Sequence, residues 1–86
     1  MPRVSTFHGI AINMYYNDHD PAHFHAIYGG VQASYTISPT GLLKGRLPSR
    51  QHQLVIEWAS AHADELAGNW RKARSDESMD RISGLE

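Results

Sequence analysis

The sequence predicts an α+β fold: a small, mainly antiparallel sheet of three to four strands, with one long amphipathic helix packed on one face. Three observations lead to this prediction. Apolar residues alternate with polar ones in the first half of the chain. A Gly29-Gly30 pair separates two such stretches. The second half carries an apolar stripe at helical spacing. The 86 residues suffice for one domain and not two, so residues 1–86 are expected to form a single domain.

The first strand is predicted at about residues 7–16. Its apolar side chains alternate with small or polar ones, as in a half-buried strand; they are Ile10, Ile12, Met14 and Tyr16. Asn17-Asp18 should end this strand. After a turn at Ser38-Pro39-Thr40-Gly41, a short strand is predicted at about residues 42–47.

Two more strands are predicted at about residues 23–28 and 31–37, joined by a tight hairpin turn at Gly29-Gly30. This turn sets the register of the hairpin and places a mostly apolar set on one face: Phe24, Ala26, Tyr28, Val31, Ala33 and Tyr35. His23 and His25 should therefore point together, away from the main core. Their predicted neighbours carry hydroxyl and amide groups: Thr36, Ser34 and Gln32.

The helix is predicted from about residue 50 to residue 73, with Ser49 as its N-cap. One face collects a largely apolar stripe: Val55, Trp58, Ala59, His62, Leu66, Trp70 and Ala73. Gly68 is a weak point, worth about 1 kcal/mol against alanine, and is where a break is expected if one occurs. Residues 75–86 should form a polar C-terminal tail, with residues 79–83 as a candidate edge strand.

Composition excludes several classes of protein. Eight basic residues against nine acidic ones exclude a broad electrostatic surface for nucleic acid. The absence of cysteine excludes disulfides and thiol nucleophiles. No apolar run approaches the roughly 20 residues of a membrane span, and the start, Met1 to Ser5, lacks an apolar signal segment. The expectation is a cytoplasmic protein with no membrane partner.

The segment from Asn17 to His25 holds three of the six histidines and two of the nine acidic residues. Histidines two apart on a strand project to the same side, and a preceding loop can supply further ligands. His19, His23 and His25 could therefore bind zinc, iron, nickel or manganese. A carboxylate, Asp18 or Asp20, would serve as a further ligand or as an outer partner. The alternative is a structural role, in which these histidines bond neighbouring hydroxyls and loop backbone.

Without a metal, His23 and His25 could act as general acid and base in phosphodiester cleavage. Basic side chains could then stabilise the phosphate charge; the candidates are Lys44, Arg46 and Arg50. The alternative for this basic cluster is an ordinary solvated edge strand and helix start.

Several segments resemble the small bacterial domain-of-unknown-function family 4160 (DUF4160). They are Met1 to Ser5, Asn17 to Ala26, the turn and strand from Gly41 to Pro48, Glu57-Trp58 and Asn69-Trp70. The resemblance spans residues 1 to about 75; the family usually has a second proline at the position of Ala22 and an uninterrupted helix at Gly68. It implies no established activity. It does imply one component of a two-gene cassette, similar to toxin–antitoxin pairs, and hence a partner protein.

Three functions follow as expectations. The first is a cassette component whose histidine-rich site supports nuclease or other hydrolytic chemistry, with RNA as a candidate substrate. The second is a metal-binding protein or metal-dependent enzyme that holds a divalent transition metal such as zinc at His19, His23 and His25. The third is a non-catalytic interaction module with structural histidines. A homodimer or a small cognate partner protein is expected in each case, and whether the protein is an enzyme is left open.

Overall fold

A computed structural model describes residues 2–85; Met1 and Glu86 of the predicted 1–86 domain lie outside the described residues. The strands are β1 (Arg3–Phe7), β2 (Ile10–Asn13), β3 (His23–Tyr28), β4 (Val31–Thr36) and β5 (Gly41–Gly45), and they are followed by the helices α1 (Ser49–Ala61) and α2 (Ala63–Arg74). The five strands form one antiparallel sheet in the order β1-β2-β3-β4-β5. The α+β class is confirmed, whereas the predictions of three to four strands and of one long helix are wrong.

The stretch predicted as one strand at 7–16 contains a turn. His8 and Gly9 both adopt positive φ, 50° and 77°, so the chain reverses and Phe7 pairs with Ile10. Such a two-residue turn matches the twist of an antiparallel hairpin. The prediction merged β2 with the end of β1 because His8 continues the apolar alternation, and it missed the rest of β1.

The hairpin of β3 and β4 has the predicted register. Phe24 pairs with Tyr35, His25 with Ser34, and Tyr28 with Val31. Four of the six residues on the predicted apolar face are buried: Phe24, Ala26, Ala33 and Tyr35. We call this side of the sheet the core face, and the side that carries His23 and His25 the open face.

The predicted helix over residues 50–73 is interrupted at His62, where φ is −117° and ψ is 25°. The His62 ring packs against the Trp58 ring, with centroids 5.5 Å apart, and its Nδ1 hydrogen-bonds the Glu65 carboxylate. Gly68 lies inside α2 without a break. The Ser49 N-cap prediction is also wrong, because Pro48 occupies the N-cap position and makes no side-chain cap bond.

The core lies between the core face and α1. Trp58 is fully buried, and its ring centroid lies 5.1 Å from that of Phe7 and 5.8 Å from that of Phe24. The indole Nε1–H donates to the carbonyl of Ser83 at 2.7 Å, which satisfies the one polar atom of this side chain. Trp58 thus joins α1, the sheet and the C-terminal segment.

The segment 77–85 contains no strand but is held in place, so the predicted edge strand at 79–83 is wrong. Asn69 donates to the carbonyl of Asp80 at 2.8 Å and accepts from its N–H at 2.9 Å. One backbone bond, from Ile82 N–H to Val4 O at 2.8 Å, reaches β1, and Ile82 is buried. The polar tail therefore contributes an apolar anchor to the core.

Neither helix of the described chain combines the length and apolar character needed to cross a membrane.

Candidate metal centre

A cleft of about 400 Å³ opens on the open face of the sheet, between the loop that follows β2 and the strands β3, β4 and β5. Its walls carry three histidines, a carboxylate, a hydroxyl, a lysine and two apolar residues: Asp18, His19, Pro21, His23, His25, Ser34, Leu43 and Lys44. Strand alternation explains the placement, because Phe24 is directed into the core while His23 and His25 take the opposite side.

His23 is 3% exposed and both of its ring nitrogens face oxygen atoms. Nδ1 lies 2.7 Å from the Pro21 carbonyl oxygen, and Nε2 lies 3.0 Å from Asp18 Oδ2. A carbonyl oxygen can only accept, so Nδ1 carries a hydrogen and, in the neutral ring, Nε2 presents a lone pair. A lone pair facing a carboxylate oxygen at this distance requires a proton or another cation between the two atoms.

His25 approaches the same carboxylate oxygen. Its Nε2 lies 3.4 Å from Asp18 Oδ2, while the Ser34 hydroxyl and the Gln32 amide nitrogen lie 3.3 Å from its Nδ1. The ring meets the Tyr15 ring edge-on, with centroids 4.8 Å apart. These contacts fix the orientation of the imidazole and keep Nε2 directed at Asp18.

The surroundings lower the pKa values of both Asp18 and His25. Burial raises the pKa of Asp18, but the backbone N–H of His19, the hydrogen bond with the His25 ring and the electrostatic influence of the neighbouring His23 and His19 rings outweigh it, so this pKa lies below its ordinary value. Burial lowers the pKa of His25, and the opposing effect of Asp18 is smaller. At pH 7 the carboxyl is ionised and the His25 imidazole is neutral, the forms in which both groups bind metals.

Asp18, His23 and His25 each offer one ligand atom, and these atoms all lie within 4.8 Å of one another. With metal–ligand distances of about 2.0–2.2 Å, neighbouring ligands of a tetrahedral zinc ion are about 3.3–3.5 Å apart. The Asp18–His25 separation of 3.4 Å matches this spacing, and the Asp18–His23 separation of 3.0 Å is close to it.

Two residues of the predicted ligand set lie outside this trio. His19 is at the rim of the cleft with its side chain 85% exposed, and its Nδ1 is 3.9 Å from Asp18 Oδ1. Asp20 turns away from the cleft, and its carboxylate accepts a hydrogen bond from Arg74 at 3.0 Å. The loop therefore gives the cleft Asp18 as its carboxylate rather than Asp20.

Of the three basic residues predicted to contact phosphate, Lys44 alone lines the cleft. Arg46 lies at a separate surface depression beside Ser49 and His52. Arg50, in the first turn of α1, lines neither the cleft nor this depression. Gly45 ends β5 with a φ of +76°, so strand alternation does not carry over from Lys44 to Arg46.

Several groups that support the site were not predicted from the sequence. Trp70 flanks His23, with ring centroids 5.3 Å apart. Asn13 pairs with His25 across β2 and β3, and with Arg3 across β1 and β2. Arg3 Nε donates to the Asn13 side chain at 3.2 Å. The position of Asn13 depends on the pairing of β2 with β3, which the sequence did not predict; the apolar helix stripe predicted that Trp70 faces the core but not that it lies beside His23.

Comparisons with curated proteins and with solved structures find no match for this chain. A family model does match: residues 9–71 fit the domain of unknown function DUF4160. This stretch includes β2 to β5, α1, most of α2 and the whole of the Asp18–His23–His25 trio. Because the match covers well over half of the 86 residues, the chain belongs to the DUF4160 family.

Proposed function

We propose that this protein binds a divalent transition metal ion through Asp18 Oδ2, His23 Nε2 and His25 Nε2. The observation that carries the proposal is the bond from His23 Nδ1 to the Pro21 carbonyl oxygen, since in the neutral ring it leaves the Nε2 lone pair facing Asp18, where a cation can lie between the two atoms. Metal-binding histidines commonly use their second nitrogen in this way. Two imidazoles and one carboxylate suit zinc, and they are also the ligands of non-haem iron(II) sites.

The same contacts disfavour His23 as a metal-free general acid or base. Both of its nitrogens are engaged, by Pro21 and by Asp18, and the residue is buried. A general acid or base needs a nitrogen within hydrogen-bond reach of the substrate. His23 is better suited to holding an ion than to exchanging protons with a substrate.

Three protein ligands leave at least one coordination position open, which is the arrangement of catalytic rather than structural zinc sites. An ion held this way supplies Lewis-acid activation of water, so the proposed chemistry is hydrolytic. Among the described residues, Lys44 is the one Lys or Arg side chain that lines the cleft, and a long nucleic-acid strand would need more positive charge. We therefore favour a small anionic substrate; cleavage of RNA remains a prediction.

The test is metal analysis of protein purified without chelator and then re-exposed to zinc, cobalt, manganese, iron and nickel. We expect about one ion per chain in the wild type and none in the His23→Ala/His25→Ala double variant. The matched control is His8→Asn, which removes an exposed imidazole in a turn whose positive φ asparagine tolerates. The proposal fails if the wild type binds no ion, or if the double variant retains it with unchanged affinity.

A second candidate function, a protein-interaction component, is favoured by β5. This edge strand exposes Leu42 and Leu43 at 47% and 43%, and an edge strand with free backbone groups can pair with another chain. We propose a second copy of this chain as the occupant. An antiparallel pair centred on Leu43 would bring the two Leu43 side chains together and keep the Lys44 side chains from facing each other.

Sedimentation analysis of the wild type and of Leu43→Lys tests this arrangement. A dimer that Leu43→Lys dissociates would support it, and a wild-type monomer would refute it.

The cassette role rests on the family resemblance alone. Growth arrest on expression, relieved by His23→Ala or His25→Ala, would support it.

A further inference from the structure

We propose that the cleft takes its substrate by a phosphate group that bridges the metal ion and the Lys44 ammonium. This inference rests on the proposed metal site, and it assigns a substrate class: phosphomonoesters of small organic molecules. Three features of the cleft carry it, namely the placement of Lys44, the balance of charge and the apolar part of the wall.

Lys44 lies on the open face in line with the ligands. It pairs with Ser34 across β4 and β5, and Ser34 pairs with His25 across β3 and β4. Cross-strand partners share a face, and neighbouring strands are about 4.8 Å apart, so the Lys44 backbone lies about 10 Å from that of His25. Within residues 2–85, no carboxylate pairs with the Lys44 ammonium. The side chain is thus free to reach over Ser34 toward a ligand of the metal.

The balance of charge selects the ligand. A divalent ion, the ionised Asp18 carboxylate and the Lys44 ammonium together leave the cleft with a net charge of about +2. A phosphate group carries about −1.5 to −2 at pH 7 and has three acceptor oxygens, so one oxygen can bind the ion while another accepts from Lys44. A carboxylate monoanion would leave one positive charge unbalanced.

The cleft holds more than a bare phosphate ion. Its volume of about 400 Å³ falls in the range of small-molecule sites, about 300–1,000 Å³. Pro21 and Leu43 form an apolar part of the wall, and Leu43 is 43% exposed. The organic part of a phosphomonoester would lie against these two side chains, while its phosphate faces the ion and Lys44.

The test uses cobalt(II)-loaded protein, because its visible absorption reports a change of ligands at the ion. A first titration adds cobalt to metal-free protein and measures the affinity of the metal site for cobalt in the absence of phosphate. A second adds inorganic phosphate, and in a parallel arm acetate, to the loaded protein. We expect phosphate to change the spectrum with an affinity at least about tenfold higher than that of acetate, and to bind metal-free protein far more weakly.

Two variants test the contact between phosphate and the Lys44 ammonium. Lys44→Met removes the ammonium and keeps an unbranched side chain that is one atom shorter; Arg46→Met removes the positive charge of a neighbouring residue outside the cleft. We expect Lys44→Met to weaken phosphate binding at least tenfold with cobalt binding retained, and Arg46→Met to bind phosphate as the wild type does.

The outcomes separate the two proposals. Cobalt binding without a phosphate response, or with an equal response in Lys44→Met, overturns the substrate inference and leaves the metal site standing. A phosphate affinity no higher than that of acetate overturns the choice of phosphate. Failure of the wild type to bind cobalt overturns both proposals, because the bridging phosphate needs the ion.

Discussion

Asp18 Oδ2 lies 3.0 Å from His23 Nε2, on the side of the imidazole opposite the Pro21 carbonyl. The same oxygen lies 3.4 Å from His25 Nε2, so a single carboxylate oxygen serves both rings. The second oxygen of Asp18 accepts the N–H of His19 at 2.9 Å, which fixes the rotation of the carboxyl group. Asp18 is therefore the residue through which the loop and β3 meet in the cleft.

Asp18 and Asp20 provide a matched pair of variants. Asp18→Asn keeps the shape of the side chain but removes the charge that a metal ion needs. Loss of outer partners of metal ligands already costs about 10- to 100-fold in affinity, so we expect loss of this ligand to cost at least about 100-fold. Asp20→Asn disrupts only the surface contact with Arg74 and should leave the affinity unchanged.

Competition with a chromophoric chelator measures both affinities. Equal weakening by Asp18→Asn and Asp20→Asn would show a general charge effect of the loop and refute Asp18 as a ligand. Unchanged affinity in Asp18→Asn would refute it directly.

The stability of the metal-free protein should fall in acid in a way that depends on His25. Its pKa is lowered from 6.5 in the folded state, so the unfolded chain binds more protons between the two pKa values, and the free energy of unfolding rises with pH there. The contribution of His25 is present above pH 6.5 and is lost as the pH falls through the folded pKa. The pKa of Asp18 is also lowered, from 3.8. This carboxyl therefore adds a second loss of stability at lower pH.

Urea unfolding at several pH values, in the presence of a chelator, measures this dependence. The control is His25→Gln, which keeps a polar side chain on β3 but does not titrate. We expect the difference in unfolding free energy between wild type and variant to shrink as the pH falls from 7 to 5. A difference that is constant over this range would contradict the prediction.

The parts of the fold that local chemistry determines could be predicted from the sequence. Gly29-Gly30 sets the register of β3 and β4 because a two-residue turn allows few pairings, and that register alone placed His23 and His25 together on the open face. The turn at His8 and Gly9 was missed because His8 matches the alternation on either side.

The parts that depend on distant contacts could not be predicted. In the sequence Asp18 and Asp20 are equivalent carboxylates beside the histidines. In the structure Asp18 contacts the histidines, whereas Asp20 pairs with Arg74, 54 positions further on. The helix breaks at His62, whose ring contacts Trp58 and Glu65, whereas helix propensity pointed to Gly68.

Gly45 should not tolerate a side chain. Its φ is +76°, and an added Cβ would overlap the carbonyl oxygen of Gln32 and lie 3.1 Å from Ala33 Cα. The left-handed backbone alone costs about 1–2 kcal/mol for an L-residue, so Gly45→Ala should destabilise by at least that amount, measured by thermal or urea unfolding. Gly30→Ala is the control: nothing lies within 4 Å of its added Cβ, and little change is expected. Equal stability of the two variants would rule out the overlap at Gly45.

Asn69 should determine whether the C-terminal segment stays in place. Its amide donates to Asp80 O and accepts from Asp80 N–H, and it is 2% exposed, so Asn69→Ala leaves two backbone groups without partners. Each such loss costs about 1–3 kcal/mol, and hydrogen exchange at Ile82 should accelerate as its bond to Val4 opens. Gln53→Ala, on the exposed side of α1, should change neither quantity.

Asn69→Asp provides a harsher case, because its carboxylate still accepts from Asp80 N–H but would place a second oxygen against the Asp80 carbonyl oxygen with no hydrogen between them. We expect its unfolding free energy to be no higher than that of Asn69→Ala, since this buried position also disfavours the charge. If Asn69→Ala unfolds as the wild type does and Ile82 exchanges no faster, the other contacts of the segment, among them those of Trp58, Lys72 and Ile82, suffice to hold it. If Asn69→Asp proves more stable than Asn69→Ala, the bond accepted from the Asp80 N–H outweighs this repulsion and holds the segment.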